Sequence, residues 1–211
     1  MRGCSGDTPH NSLKKKKLCN WIDTFQKKDI FLDIGANVGM FAVYAASKNI
    51  FTYAVEPHSS NLDYLYWNIY LNKLSNKILV FPNILGNKEK IENFYYRDLT
   101  PGVAENKIKA NAKSSKIKFL YPAITFDKCI ELYKLKMPNK IKIDVDGGEF
   151  EILKGMKKIL NHANELYIEM INGKKKNKDY YKIIRLLKKY NFNISDKCLT
   201  NYIFKKTTHS L

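Results

Sequence analysis

Arginine is nearly missing from this sequence: it occurs only at Arg2, Arg97 and Arg185, although lysine and arginine together number 37. Base-edge and phosphate recognition leans on the bidentate guanidinium fork that lysine lacks. The formal charge of +17 therefore points only weakly to nucleic acid. An anionic membrane surface would answer the same charge, and an AT-rich coding sequence, giving Lys, Asn and Ile together, would produce it with no polyanion involved. The 4 cysteines form no C-x-x-C pair, and His10, His58, His162 and His209 lie far apart. Neither a disulfide framework nor a metal site is indicated. No apolar run approaches the ~20 residues of a membrane-spanning helix, and Lys14 to Lys17 lead into a polar-interrupted segment unlike a signal-peptide core. The cytoplasm is the expected compartment.

What is present fits one domain. At 211 residues and 45% hydrophobic, the chain can bury a full core but is too short for two large domains. Residues 1–17, polar at first and carrying Gly3, Gly6 and Pro9, read as a disordered leader, with a single domain over residues 18–211. Leu18, Trp21, Ile22 and Phe25 fall at helical spacing. From Asp29 onward, β-rich runs alternate with helical patterns, which produces a parallel sheet with crossover helices. Strands are expected at Ile30 to Ile34, Phe51 to Val55, Ile78 to Phe81, Lys140 to Val145 and Leu166 to Met170, then at Phe192 to Ser195 and Tyr202 to Lys205. Single helices are expected over Thr125 to Leu135, Phe150 to Leu160 and Asp179 to Tyr190. Tyr64, Tyr66, Trp67 and Tyr70 are expected to pack a helix whose buried side carries Leu62, Leu65 and Ile69. Residues 97–122, rich in Lys, Asn and Ser between possible strands at Ile91 to Tyr96 and Ile117 to Leu120, form a candidate substrate-facing insertion.

Three segments carry chemistry. Phe31 to Gly39 places Asp33 near a strand end, then a loop with Gly35, Asn37 and Gly39, then a helix. Gly35 permits a tight turn with close backbone approach to a ligand, and Gly39 permits close helix–strand packing. The loop fits the dinucleotide fingerprint G-x-G-x-x-G poorly, because Asn37 stands where a glycine is required. Glu56 ends the second strand, where doubly wound folds set a carboxylate on ribose hydroxyls. Asp144, Asp146, Glu149 and Glu151 gather acids in a basic protein. Acids at a helix start also serve as caps, and Glu149 and Glu151 could act only in that way.

The stretch from Lys142 to Gly155, KIDVDGGEFEILKG, resembles the FkbM methyltransferase hallmark K-I-D-V-E-G-A-E followed by V-L-K-G. The segments DIGANVG and AVEP resemble that family's first two motifs, and the likeness runs from Ile30 to Lys205. The resemblance implies an α/β, Rossmann-like class I methyltransferase: a seven-stranded, mostly parallel sheet with helices on both faces and an antiparallel last strand. It also implies S-adenosylmethionine as cofactor. Asp33, Gly35, Asn37 and Gly39 would shape the site for its methionine part, Glu56 would take the ribose, and Asp144 would sit near the sulfonium. Asp146 stands where the family has glutamate and Gly148 where it has alanine. No carboxylate follows the third strand, so Asn83 is the candidate for the adenine.

The expected reaction is methyl transfer to a hydroxyl of a saccharide or small metabolite, with Asp144 and Glu149 as candidate catalytic residues. Glu169 borders the expected acceptor side. The rivals are a nucleic-acid methyltransferase, disfavoured by the scarcity of arginine, and a degenerate binding protein, against which the intact acids argue.

Overall fold

The runs of branched and aromatic residues become the strands of one sheet, and the patterns between them become the helices that cover it. The computed structural model describes residues 9–96, 99–100, 102, 117–170 and 178–207. Helix α1 (Pro9–Ile22) leads into β1 (Ile30–Ile34), α2 (Met40–Ser47), β2 (Phe51–Val55), α3 (Ser59–Leu71) and β3 (Ile78–Phe81). A small excursion of β4 (Ile84–Leu85), β5 (Lys90–Tyr96) and β6 (Ile117–Ile124) follows, then α4 (Phe126–Tyr133) and β7 (Lys140–Ile143). Helices α5 (Glu149–Lys154) and α6 (Lys157–His162), strand β8 (Glu165–Glu169), helix α7 (Lys178–Lys189), and strands β9 (Phe192–Cys198) and β10 (Asn201–Lys206) complete the order.

The main sheet has 7 strands in the order β3-β2-β1-β7-β8-β10-β9. Strands β1, β2, β3, β7 and β8 pair in parallel, whereas β10 runs antiparallel to both neighbours. The order reverses between β1 and β7. The crevice outside the carboxyl ends of those two strands is where such sheets bind ligands. Helices α4 to α7 cover one face through Phe126, Ile152, Leu153, Ile159 and Leu187, and α1 to α3 cover the other through Trp21, Ala45 and Leu65. Trp21 is 4% exposed and packs on Phe31 and Tyr167; burying side chains of this size contributes roughly 1.5–3 kcal/mol each.

Four expectations are corrected. The leader is helical from Pro9 onward, because α1 is fastened at a distance: Lys14 pairs with Glu169 at 2.5 Å, and Lys17 pairs with Asp196. The helix expected over Phe150 to Leu160 is two helices, α5 and α6. The chain passes so close to Gly86 at Gly155 that a Cβ there would lie 2.1 Å from the Gly86 oxygen. The Asp127 carboxylate then accepts from the amides of Lys158 and Ile159 and starts α6 anew. Strand β7 stops at Ile143, since the chain turns into the loop at Asp144. Finally, Tyr64, Tyr66, Trp67 and Tyr70 do not pack: they are 54%, 51%, 62% and 71% exposed, because an outer helix buries one face only and Leu65 and Ile69 occupy it.

Strands β5 and β6 join β4 in a separate 3-stranded sheet around Ile84, Phe94, Tyr96 and Ala123. Most of the expected insertion over residues 97–122 lies outside the described residues.

Candidate functional site

Strand β1 ends in a loop that the chain cannot build without glycine. Gly35 has φ +77°, and a Cβ on it would lie 2.0 Å from the Asp144 backbone oxygen, so the ends of β1 and β7 meet backbone to backbone. The amides of Gly35 and Ala36 both donate to the Val55 oxygen at 3.0 Å, which ties the loop to the end of β2. Gly39, with φ +85°, admits Leu65 of α3, whose Cδ1 would lie 2.2 Å from an added Cβ. Above this junction lies a cleft of about 440 Å³, the size range of sites for nucleotide-sized ligands.

One wall of the cleft is built from Gly35, Asn37, Glu56, Asn61, Asn83 and Ile84. Glu56 is 6% exposed, and its carboxylate accepts from the amides of Asn37 at 2.8 Å and His58 at 2.9 Å and from Asn61 Nδ2 at 3.2 Å. Burial raises this carboxyl above its ordinary value, against the opposing pull of those donors. Asn61 Oδ1 in turn accepts from the Gly102 amide at 2.8 Å, which brings one described residue of the insertion to the cleft. His58 is buried, with its ring 4.7 Å from that of Tyr96.

The opposite wall is built from Asp144, Asp146, Glu169, Tyr167 and Asn201, with Lys14, Lys15 and Leu18 of α1. Beneath it, Asp33 and Lys142 are cross-strand partners, and the Lys142 ammonium donates to Asp33 Oδ1 at 2.9 Å and to the Gly35 oxygen at 3.2 Å. It stands 3.6 Å from Asp144 Oδ2. Burial alone would push Lys142 down, but Asp33 and Asp144 outweigh it and raise its pKa. Burial pushes the Asp144 carboxyl up to about 7; Lys142 opposes that rise, and a hydrogen bond to Glu169 adds to it. Burial would raise Glu169 too, yet hydrogen bonds from Asp144, Lys14 and Thr200 hold it at about 2. The two carboxyls therefore share one proton below about pH 7 and lose it above.

The residues expected from the sequence fall into two groups. Gly35, Asn37, Glu56, Asn83 and Asp144 line the cleft together. Asp33 and Gly39 lie behind it, the first neutralising Lys142 and the second admitting Leu65. Glu149 also stands outside the lining: its carboxylate accepts from the Gly147 amide at 3.1 Å, and burial pushes it up to about 7. Tyr167, Asn201 and the lysines of α1 were not foreseen, because they meet only through the sheet order. Lys142 could have been, as a cation inside an apolar strand opposite Asp33.

The donor set suits a nucleoside carrying a sulfonium: a buried carboxylate at the end of β2 for a diol, an amide at Asn83, and acids at the ends of β7 and β8 for a cation. The buried Tyr167 hydroxyl has no hydrogen-bond partner among the described residues and borders the same cleft, leaving one polar group for a bound molecule. Among the described residues, no three or more His, Cys, Asp or Glu side chains are grouped so as to hold a metal ion.

The family described as the Methyltransferase FkbM domain matches residues 33–194. Hexuronic acid methyltransferase AglP of Haloferax volcanii is 26% identical over 153 residues, which span 72% of this chain and 60% of that protein. The chain therefore spans less than two thirds of that curated relative. Among solved structures, Methyltransferase FkbM from Methylobacillus flagellatus KT has a TM-score of 0.61 at 18% identity, covering 85% of this chain and 44% of that one. Precorrin-6y C5,15-methyltransferase from Geobacter metallireducens GS-15 has a TM-score of 0.56 at 11% identity, covering 98% and 94%. At those identities the likeness speaks for the fold.

Proposed function

This chain belongs to the FkbM methyltransferase family, and on that premise we propose that it methylates a hydroxyl of a saccharide, with an acidic sugar as the leading acceptor. The acceptor class rests on the hexuronic acid methyltransferase relative. The cofactor would be S-adenosylmethionine, which supplies a methyl group bonded to a positive sulfur and so open to in-line displacement by oxygen. Glu56 would hold the ribose diol, Asn83 the adenine edge, and the loop from Gly35 to Asn37 the amino-acid part. Asp144 would face the sulfonium, where a nearby cation favours its ionised form.

The single observation that carries the reading is the Asp144–Glu169 pair at the carboxyl ends of β7 and β8, facing Glu56 across one cleft. The acceptor oxygen forms its bond to the methyl carbon as the carbon–sulfur bond breaks and its electron pair stays on sulfur. The hydroxyl proton passes to the ionised pair, and Asp144 would accept it because its carboxyl returns to its raised value once the positive charge on sulfur is lost. Glu149, one step back, holds the Gly147 amide and so the shape of the loop after β7; its role is positioning.

The test is transfer of labelled methyl from S-adenosylmethionine to oligosaccharides with and without uronic acid residues. Label in uronic-acid-containing acceptors, lost in Asp144→Asn, supports the reading. Label confined to RNA or to neutral small molecules overturns the acceptor assignment.

A further inference from the structure

The parallel order of the sheet gathers the segments that lead into its strands at one end, opposite the cleft, and those segments are rich in lysine. Lys27 and Lys28 precede β1, Lys73 precedes β3, and Lys134 and Lys136 precede β7. Lys188 and Lys189 precede β9, whose first residue Phe192 pairs with Lys206 at the same end. These seven lysines are exposed, and none has an acidic partner among the described residues. The acids at this end are engaged: Asp23 with Lys48, Glu131 with Lys128 and Lys158, Glu165 with Lys140 and Lys205, and buried Asp29 with Asn139. Among the described residues, Glu56, Asp144, Asp146 and Glu169 lie at the other end, where Lys14 is paired with Glu169 and Lys142 with Asp33.

Apolar side chains are exposed at the basic end as well. Tyr70 and Leu71, in the last turn of α3, are 71% and 68% exposed; Leu132 and Tyr133, in the last turn of α4, are 54% and 63% exposed. Phe51, the first residue of β2, is also exposed. Helices α3 and α4 both end where the chain turns back to start a strand, so these tips stand among the lysines.

We propose that this end of the molecule docks on an anionic phospholipid bilayer. Lysines act as point charges suited to a diffuse negative surface, whereas nucleic-acid recognition favours the guanidinium fork. Tyrosine and leucine tips at the same end as the lysines suit the headgroup boundary, where an aromatic body is buried and its hydroxyl stays wet. Docked in this way, the chain turns its cleft away from the bilayer. The inference does not depend on which acceptor is methylated.

The full chain would be sedimented with phosphatidylcholine vesicles with and without phosphatidylglycerol. Binding is expected only with phosphatidylglycerol, and it should weaken as salt rises. Lys27→Glu with Lys28→Glu, and separately Lys134→Glu with Lys136→Glu, should each reduce binding at least about tenfold. Leu71→Ser with Tyr133→Ser should weaken it with all charges kept. Unchanged melting temperatures would show that these exposed substitutions leave the fold intact. The proposal is overturned by absence of binding to phosphatidylglycerol vesicles, by binding indifferent to the charge reversals, or by tighter retention on an RNA duplex at the same salt.

Discussion

Asp144 is where the charge balance of the site is decided. Its carboxyl titrates at about 7 beside an ionised Glu169, so a cation brought against it draws off a proton that a neutral ligand does not. The affinity for S-adenosylmethionine relative to its demethylated, uncharged-sulfur product should therefore rise between about pH 6 and pH 8. In Asp144→Asn that ratio should be flat; calorimetry of both compounds across the range decides it. The same raised pKa has a stability sign. The folded chain holds protons on Asp144 and Glu149 that the unfolded chain releases near pH 4, so the ligand-free protein should lose stability as pH climbs from about 4 to about 7. Glu169 contributes oppositely, its stabilisation disappearing only as pH falls below about 4. Thermal melts of Asp144→Asn should show a shallower decline than the parent; an identical slope would place the titration elsewhere. Glu169→Gln should reduce single-turnover rate about a hundredfold or more, whereas Glu149→Gln, which keeps a group able to accept from the Gly147 amide, should retain most of it.

Among the elements, the contact of β1 with β7 holds the two halves of the site together. Gly35→Ala sets a Cβ against the Asp144 backbone oxygen at a positive φ, so neither the backbone nor its neighbour can yield cheaply. A loss of about 2 kcal/mol or more is expected, with cofactor binding lost even where the fold survives, read by denaturant melts and calorimetry. Lys142→Met leaves the buried Asp33 carboxyl without its ion-pair partner, at a cost of about 3–5 kcal/mol, and adding Asp33→Asn should recover part of it. Strand positions were legible in the sequence because apolar runs bounded by turn residues have few other ways to be buried, and Ile30–Ile34, Phe51–Val55 and Ile78–Phe81 occur as expected. The break between α5 and α6 was not, since it depends on the Gly86 backbone, distant in sequence. The onset of α1 escaped for the same reason: its lysine run reads as solvated until Glu169 and Asp196 stand opposite it. Motif residues announced one wall of the cleft, whereas Tyr167, Asn201 and Lys14 became its other wall only once the sheet order was known.

Among the described residues, the strands run from an end where unpaired lysines and apolar tips are exposed to a cleft-bearing end that gathers Glu56, Asp144, Asp146 and Glu169. The division follows from topology: parallel strands collect all their leading loops on one side and all their trailing loops on the other. A single ligand site at the trailing end is the central claim, and Glu56 reports on it without taking part in methyl transfer. The most direct measurement is calorimetric titration of S-adenosylmethionine and its demethylated product into the parent and into Glu56→Ala. The account predicts one site per chain for both compounds in the parent and at least tenfold weaker binding of both in the variant, through loss of the hydrogen bonds to the ribose. Absence of heat from either compound with the folded parent, or equal affinities in parent and variant, would contradict it.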